Sequence, residues 1–248
     1  MEKKTVVLNR NKRRLSAILH TPRIKTDKIV IFVHSFKGDK DYQPIMRDCS
    51  RKLCSEGYAV IRFDCYGSGE SGGKFEDATI SSEIRDLRDV IKFVKRKGYS
   101  EIALVGLSMG STVAIKACDK SIKTIILWSP PFDHRPFYKE YKPEMERQGF
   151  VIRERRLTGE LVKVGKKMWK EFGSINLGSD IRAMKCPVLV VYGAKDEVVR
   201  YSIVKKYFRN FHCIKKLSVI KGGDHNFLLK RAEKKVISKT VQWIKKYL

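Results

Sequence analysis

Short, largely apolar runs recur along the chain, separated by stretches whose apolar residues return every three to four positions. Ile29 to Val33 is one such run, and Tyr58 to Phe63, Ile102 to Val105, Thr124 to Trp128 and Pro187 to Tyr192 are others. A strand covered on one face alternates apolar and polar residues, whereas one covered on both faces does not. These runs therefore predict strands in the middle of a sheet. Val6 to Leu8 and Leu15 to Leu19 predict two further strands split by the polar turn Asn9 to Arg14, and Leu217 to Ile220 predicts the last.

Between the runs, Ile45, Cys49 and Leu53 have helical spacing and stop at Gly57. Ile80, Ile84, Leu87, Ile91 and Val94 mark a longer amphipathic helix. It ends in Lys95, Arg96 and Lys97 before Gly98, the charge and the residue that a helix C-terminus favours. Leu229, Ala232, Val236, Val241, Ile244 and Leu248 predict a C-terminal helix. Strands alternating with helices predict an α/β fold, a mainly parallel twisted sheet with helices on both faces. In such sheets the loops at the strand carboxyl ends converge on a site. From about 130 to 176 the pattern changes to charged residues dotted with aromatics, with no run like the earlier ones. That segment is expected to be a small cap inserted in one domain spanning 1–248.

Gly106-Leu107-Ser108-Met109-Gly110 joins the Ile102–Val105 strand to a helical pattern through Val113 and Ala117. A strand, a tight turn and a helix lift a serine hydroxyl clear of a sheet edge, with glycines where the chains pass closely. An aspartate follows a later strand in Gly193-Ala194-Lys195-Asp196, and a histidine follows the last one in Gly222-Gly223-Asp224-His225. A serine hydroxyl attacks a carbonyl only when a base takes its proton. His225 has the intrinsic pKa for that task, and Asp196 would orient the imidazole and stabilise its charged form. The oxyanion formed on attack needs donors already aimed at it, each worth on the order of 3–4 kcal/mol of barrier. One is expected at the N–H of Met109, the other in the loop after Ile29–Val33, at the N–H of Phe36.

Each assignment has a plainer rival. Ser108 could simply cap its helix. Glu197 lies beside Asp196, which is preferred because a shorter side chain suits a tight loop. Asp180 precedes the Cys186-Pro187 strand entry, and His20, His34, His134 and His212 compete with His225. Only His225 follows the last strand after the acid. His34 is expected to be structural, and Asp64 to hold the glycine-rich loop 64–73, which lacks a phosphate-binding signature.

The chain has 248 residues, 42% of them hydrophobic, enough for one large domain. No apolar run approaches a membrane span, and Val6, Val7 and Leu8 are too few for a secretory signal, so the expected location is cytoplasmic. The six cysteines form no CxxC pair and are expected to be reduced and buried. No metal-ligand spacing occurs, and neither a metal nor a cofactor is expected. The net charge of +26 raises nucleic acid as a partner. The basic residues are scattered and come with no binding signature, so a solvated surface is preferred and no specific nucleic-acid partner is expected.

His34-Ser35-Phe36, Arg62 to Ser71, Gly73 to Asp77, Gly106 to Gly110, Tyr192 to Val199 and Gly223-Asp224-His225 together resemble the α/β-hydrolase superfamily. The pattern is most similar to small carboxylesterases of the cinnamoyl or feruloyl esterase type. The resemblance covers nearly the whole chain. It implies a triad of Ser108, Asp196 and His225, oxyanion donors at Phe36 and Met109, a cap after the sixth strand, and a small-molecule ester as substrate. Ser35, Leu107 and Ser111 depart from the family's usual Gly, His and Gly. Thioester or aminopeptidase-like hydrolysis on the same fold is the alternative. A non-catalytic binding protein on this scaffold is a further one, with Trp169, Phe137, Tyr138, Tyr141, Phe150 and Phe172 either covering an apolar acyl group or merely packing the cap.

Overall fold

A computed structural model describes residues 1–248. The chain runs through β1 (Glu2–Leu8), β2 (Arg14–His20), β3 (Lys28–Val33), α1 (Pro44–Ser55), β4 (Ala59–Phe63), α2 (Ile80–Arg96), β5 (Glu101–Leu107), α3 (Met109–Ala117) and β6 (Ile122–Trp128). After these come α4 (Arg135–Gln148), β7 (Phe150–Glu154), β8 (Leu161–Gly165), α5 (Lys166–Ser174), α6 (Gly178–Ala183), β9 (Val188–Gly193), α7 (Tyr201–Arg209), β10 (Lys215–Ile220) and α8 (Lys230–Tyr247). Eight strands form one sheet in the order β1-β2-β4-β3-β5-β6-β9-β10. β2 runs antiparallel to both β1 and β4, and every other pairing in this sheet is parallel.

The apolar runs divide between two cores. In β3, Ile29, Ile31 and Val33 join the core under α2 and α3, while Val30 and Phe32 join the one under α1 and α8. In β5, Ile102 and Leu104 take the first side, and Ala103, Val105 and Leu107 the second. Covering both faces removes the need for polar residues, which is why the sequence shows no alternation there. α8 is fixed on β6 by two buried bonds in opposite senses. Trp128 Nε1 donates to Thr240 Oγ1 (3.1 Å) and Trp243 Nε1 donates to Thr124 Oγ1 (2.8 Å). Losing either acceptor would strand a buried indole N–H at a cost of about 1–3 kcal/mol.

Three stretches differ from the sequence expectation. β1 begins at Glu2, four residues before the apolar run, because an edge strand tolerates the solvent-facing Lys3 and Lys4. Residues 130–176 hold a β-hairpin, β7 with β8, between α4 and α5. Val151, Val162 and Val164 are the only buried apolar residues of that hairpin, so it carries too little apolar signal to register as strands. Leu229 is not on the buried face of the C-terminal helix. It precedes α8 and is 61% exposed. All six cysteines are unpaired thiols; Cys49 and Cys65 are buried and the other four are half-buried. No helix is long and apolar enough to cross a membrane.

Candidate active site

One residue, Ser108, separates the end of β5 from the start of α3. Reversing the chain that sharply puts it at φ 51° and ψ −123°, a conformation costing about 1–3 kcal/mol in a residue with a side chain. Its surroundings hold it there. Ser108 N donates to the Trp128 carbonyl (2.8 Å), and Ser111 N donates to the Ser108 carbonyl (2.8 Å). Ser111 Oγ donates to the Gly106 carbonyl (2.8 Å), so the serine that departs from the family pattern staples the turn to its own strand. A β-carbon at Gly106 would lie 2.4 Å from the Gly110 carbonyl oxygen, which explains the glycine. Ser108 stands where a helix cap would, yet its hydroxyl caps no backbone N–H.

That hydroxyl instead lies 2.9 Å from His225 Nε2. On the other side of the ring, Nδ1 is 3.0 and 2.9 Å from the two carboxylate oxygens of Asp196. An ionised carboxylate only accepts, so Nδ1 carries the proton and Nε2 is free to accept from Ser108. The Asp196 side chain is fully buried, and its Oδ1 also accepts from Val198 N and Val199 N, both at 2.9 Å. The turn after β9 thus fixes the acid, and the turn after β10 carries the imidazole to it.

The rivals lie elsewhere. Glu197 pairs with Arg156, and Asp180 pairs with Lys116 (2.7 Å). His34 bridges two strand ends: Nδ1 donates to the Ser35 carbonyl (2.9 Å) and Nε2 accepts from Cys65 N (3.1 Å). His20 packs beside Arg62, and His212 is exposed. Asp64 holds the glycine-rich loop, accepting from Lys40 N (2.6 Å) and Glu70 N (2.9 Å).

No protein group accepts the backbone N–H of Phe36. Met109 opens α3, whose first-turn N–H groups have no intrahelical acceptor. Ser35 is tied to the residue capping α1, since Gln43 Nε2 donates to Ser35 Oγ (2.6 Å). The sequence did not single out Gln43, because its partner lies across the loop.

A cavity of about 180 Å³ opens over Ser108 and His225. Phe172 is the hub of one wall. Its ring lies 5.4 Å from Phe36, 6.0 Å from Phe137 and 6.1 Å from Tyr141, and stacks on His134 at 5.7 Å. Burial lowers the pKa of His134 to about 4, so that this wall is uncharged at neutral pH. Burial also pushes the Tyr141 hydroxyl up to about 12. Of the other aromatics in 130–176, Tyr138 and Trp169 stack on each other at 4.6 Å and bond through Trp169 Nε1 to the Tyr138 carbonyl (2.9 Å). They pack against each other, while Phe137, Tyr141 and Phe172 face the cavity.

Residues 24–157 match the model of the family described as Serine aminopeptidase, S33. The chain belongs to that family. It is also 26% identical over 147 residues to a Haemophilus influenzae protein whose descriptive name suggests an esterase or lipase. That match takes in 53% of this chain and 48% of the relative, so the aligned part spans about half the relative's length. Among solved structures, the esterase Est1E of Butyrivibrio proteoclasticus with ferulic acid bound superposes with a TM-score of 0.81 at 22% identity, over 98% of this chain and 99% of that one. The α/β hydrolase GrgF of Penicillium sp. sh18 gives 0.85 at 16%, over 100% and 99%. An esterase of Pyrococcus furiosus gives 0.77 at 22%, over 100% and 91%. The family member therefore has the α/β-hydrolase fold.

Proposed function

We propose that this hydrolase cleaves carboxylic esters through an acyl-serine intermediate. The observation that carries the reading is the 2.9 Å contact of Ser108 Oγ with a His225 ring whose other nitrogen is held by buried Asp196. As Ser108 Oγ bonds to the ester carbonyl carbon, its proton passes to His225 Nε2. The carbonyl π pair moves onto oxygen, where the N–H groups of Phe36 and Met109 receive it. When the pair returns, the alcohol leaves with the proton from His225. Water then repeats the sequence, delivering its proton to His225 and releasing the acid and free Ser108.

The segment 130–176 acts as a cap in this reading, supplying Phe137, Tyr141 and Phe172 to the cavity wall. Aminopeptidase-like hydrolysis is the weaker alternative, because a peptide's protonated α-amine would find no Asp or Glu among the residues bordering the cavity. Replacing Ser108 with Ala is expected to abolish turnover of short 4-nitrophenyl esters while leaving the circular dichroism spectrum unchanged. Turnover retained by the purified variant would count against the reading.

A further inference from the structure

The cavity wall sets cations beside aromatic rings. Phe172 packs with Phe36, Phe137 and His134, and Lys37 Nζ lies 5.9 Å from the Phe36 ring. Next to this cluster the turn between β7 and β8 closes on residues 37–42. Lys37 Nζ donates to the Glu154 carbonyl (2.7 Å), and Tyr42 Oη accepts from Leu157 N (3.0 Å). This side of the cavity is rich in cations, and all but one make an ion pair. Arg155 pairs with Asp39 (2.8 Å) and Arg153 with Glu144 (2.9 Å), while Arg156 pairs with Glu197. Lys37 is half-buried in the cavity wall and pairs with no carboxylate; its hydrogen-bond acceptor is a neutral carbonyl. Burial, and then the nearby Arg153 guanidinium, pull its pKa below the usual lysine value, against the opposite pull of the Glu140 and Glu154 carboxylates.

A partly desolvated ammonium with no carboxylate in contact is unfavourable, since Glu140 and Glu154 act on it only from beyond ion-pair distance, and an anion arriving in the cavity would relieve it. One unanswered cation matches one negative charge, which fits a carboxylate better than a doubly charged phosphate. We propose that the substrate of this site is an amphipathic ester bearing a carboxylate that seats against Lys37, with its apolar part against the Phe172 cluster. This rests on the ester-hydrolase reading above. The surplus of positive charge over the whole protein would draw such anions toward the cavity.

The test compares phenyl butanoate with 4-carboxyphenyl butanoate and with phenyl hemiglutarate, which place the carboxylate on the alcohol side and on the acyl side. The expected result is a kcat/KM at least about tenfold higher for one of the two anionic esters than for phenyl butanoate. That advantage should shrink as salt is raised, while the rate for the neutral ester stays level. In Lys37→Met the anionic-to-neutral ratio should fall to about one, and Lys37→Arg should restore most of it. Equal or poorer turnover of both anionic esters by the unaltered protein overturns the proposal, as does a ratio that survives in Lys37→Met. Calorimetric binding of the same esters to Ser108→Ala reads the preference without chemistry. Absence of all ester turnover would therefore defeat the hydrolase reading, and absence of tighter anionic binding would separately defeat this one.

Discussion

A β-carbon on Gly110 would lie 2.4 Å from the carbonyl oxygen of Val33, inside any tolerable contact. The first turn of α3 therefore rests directly on the end of β3. This contact sets the distance between the serine at the head of α3 and the loop that follows β3, where Phe36 offers its free N–H. Gly110→Ala must push helix and strand apart. The expected cost is about 1–3 kcal/mol in chemical denaturation. Displacement by even about 1 Å at a reacting centre is worth roughly a hundredfold in rate, so kcat on 4-nitrophenyl butyrate should fall by that order.

In the proposed mechanism Asp196 holds one tautomer of His225. An amide at this position can offer its N–H to the ring, which favours the wrong tautomer. Asp196→Asn should therefore lower kcat by roughly 10⁴, the loss expected when the orienting carboxylate becomes an amide. The remaining side-chain oxygen can still accept from Val198 N and Val199 N, so the thermal midpoint should change little. Paired stopped-flow and calorimetric measurements would separate the two effects.

His134 carries a pH signature. Its folded-state pKa is lowered from 6.5 to about 4 by burial. Above pH 6.5 the ring is neutral in both states and costs nothing. Between pH 6.5 and 4 the unfolded chain takes up a proton that the folded ring refuses, so stability falls as the solution is acidified. A shift of this size is worth about 3 kcal/mol. His134→Phe, which keeps an aromatic ring against Phe172, should flatten the stability slope across that window in urea titrations.

Glu83 predicts the opposite dependence. Its side chain is buried in α2 with both oxygens unpartnered. Burial, then Asp86, raise its pKa well above 4.5. Below pH 4.5 the carboxyl is neutral in both states. Above it the unfolded chain ionises while the folded carboxyl stays protonated, so stability is lost as pH rises. Glu83→Gln should match the parent protein near pH 4 and become progressively more stable than it toward pH 8, as read from melting temperatures.

The legible parts of this chain were those whose environment is simple. Strands covered on both faces must be apolar throughout, and β3, β5, β6 and β9 announced themselves for that reason. Ser108 was legible because a one-residue reversal needs the small neighbours Gly106 and Gly110. The hairpin of β7 and β8 was not, since Leu161 is 68% exposed and charges fill the intervening positions. α7 left only a faint helical signal, because Val204 is its only buried residue. The walls of the cavity were hidden for a different reason. Lys37, Gln43, His134 and Arg156 look like ordinary loop or helix-end residues in sequence, and only tertiary packing brings them beside Ser108.

Stoichiometric labelling with a fluorophosphonate probe addresses the central claim most directly, because the probe reacts only with a hydroxyl whose proton has somewhere to go. Peptide mapping by mass spectrometry should find one adduct per chain, on Ser108, and His225→Ala should abolish it at matched protein concentration. Labelling of another residue, or equally rapid labelling of Ser108 without the imidazole, would contradict the account.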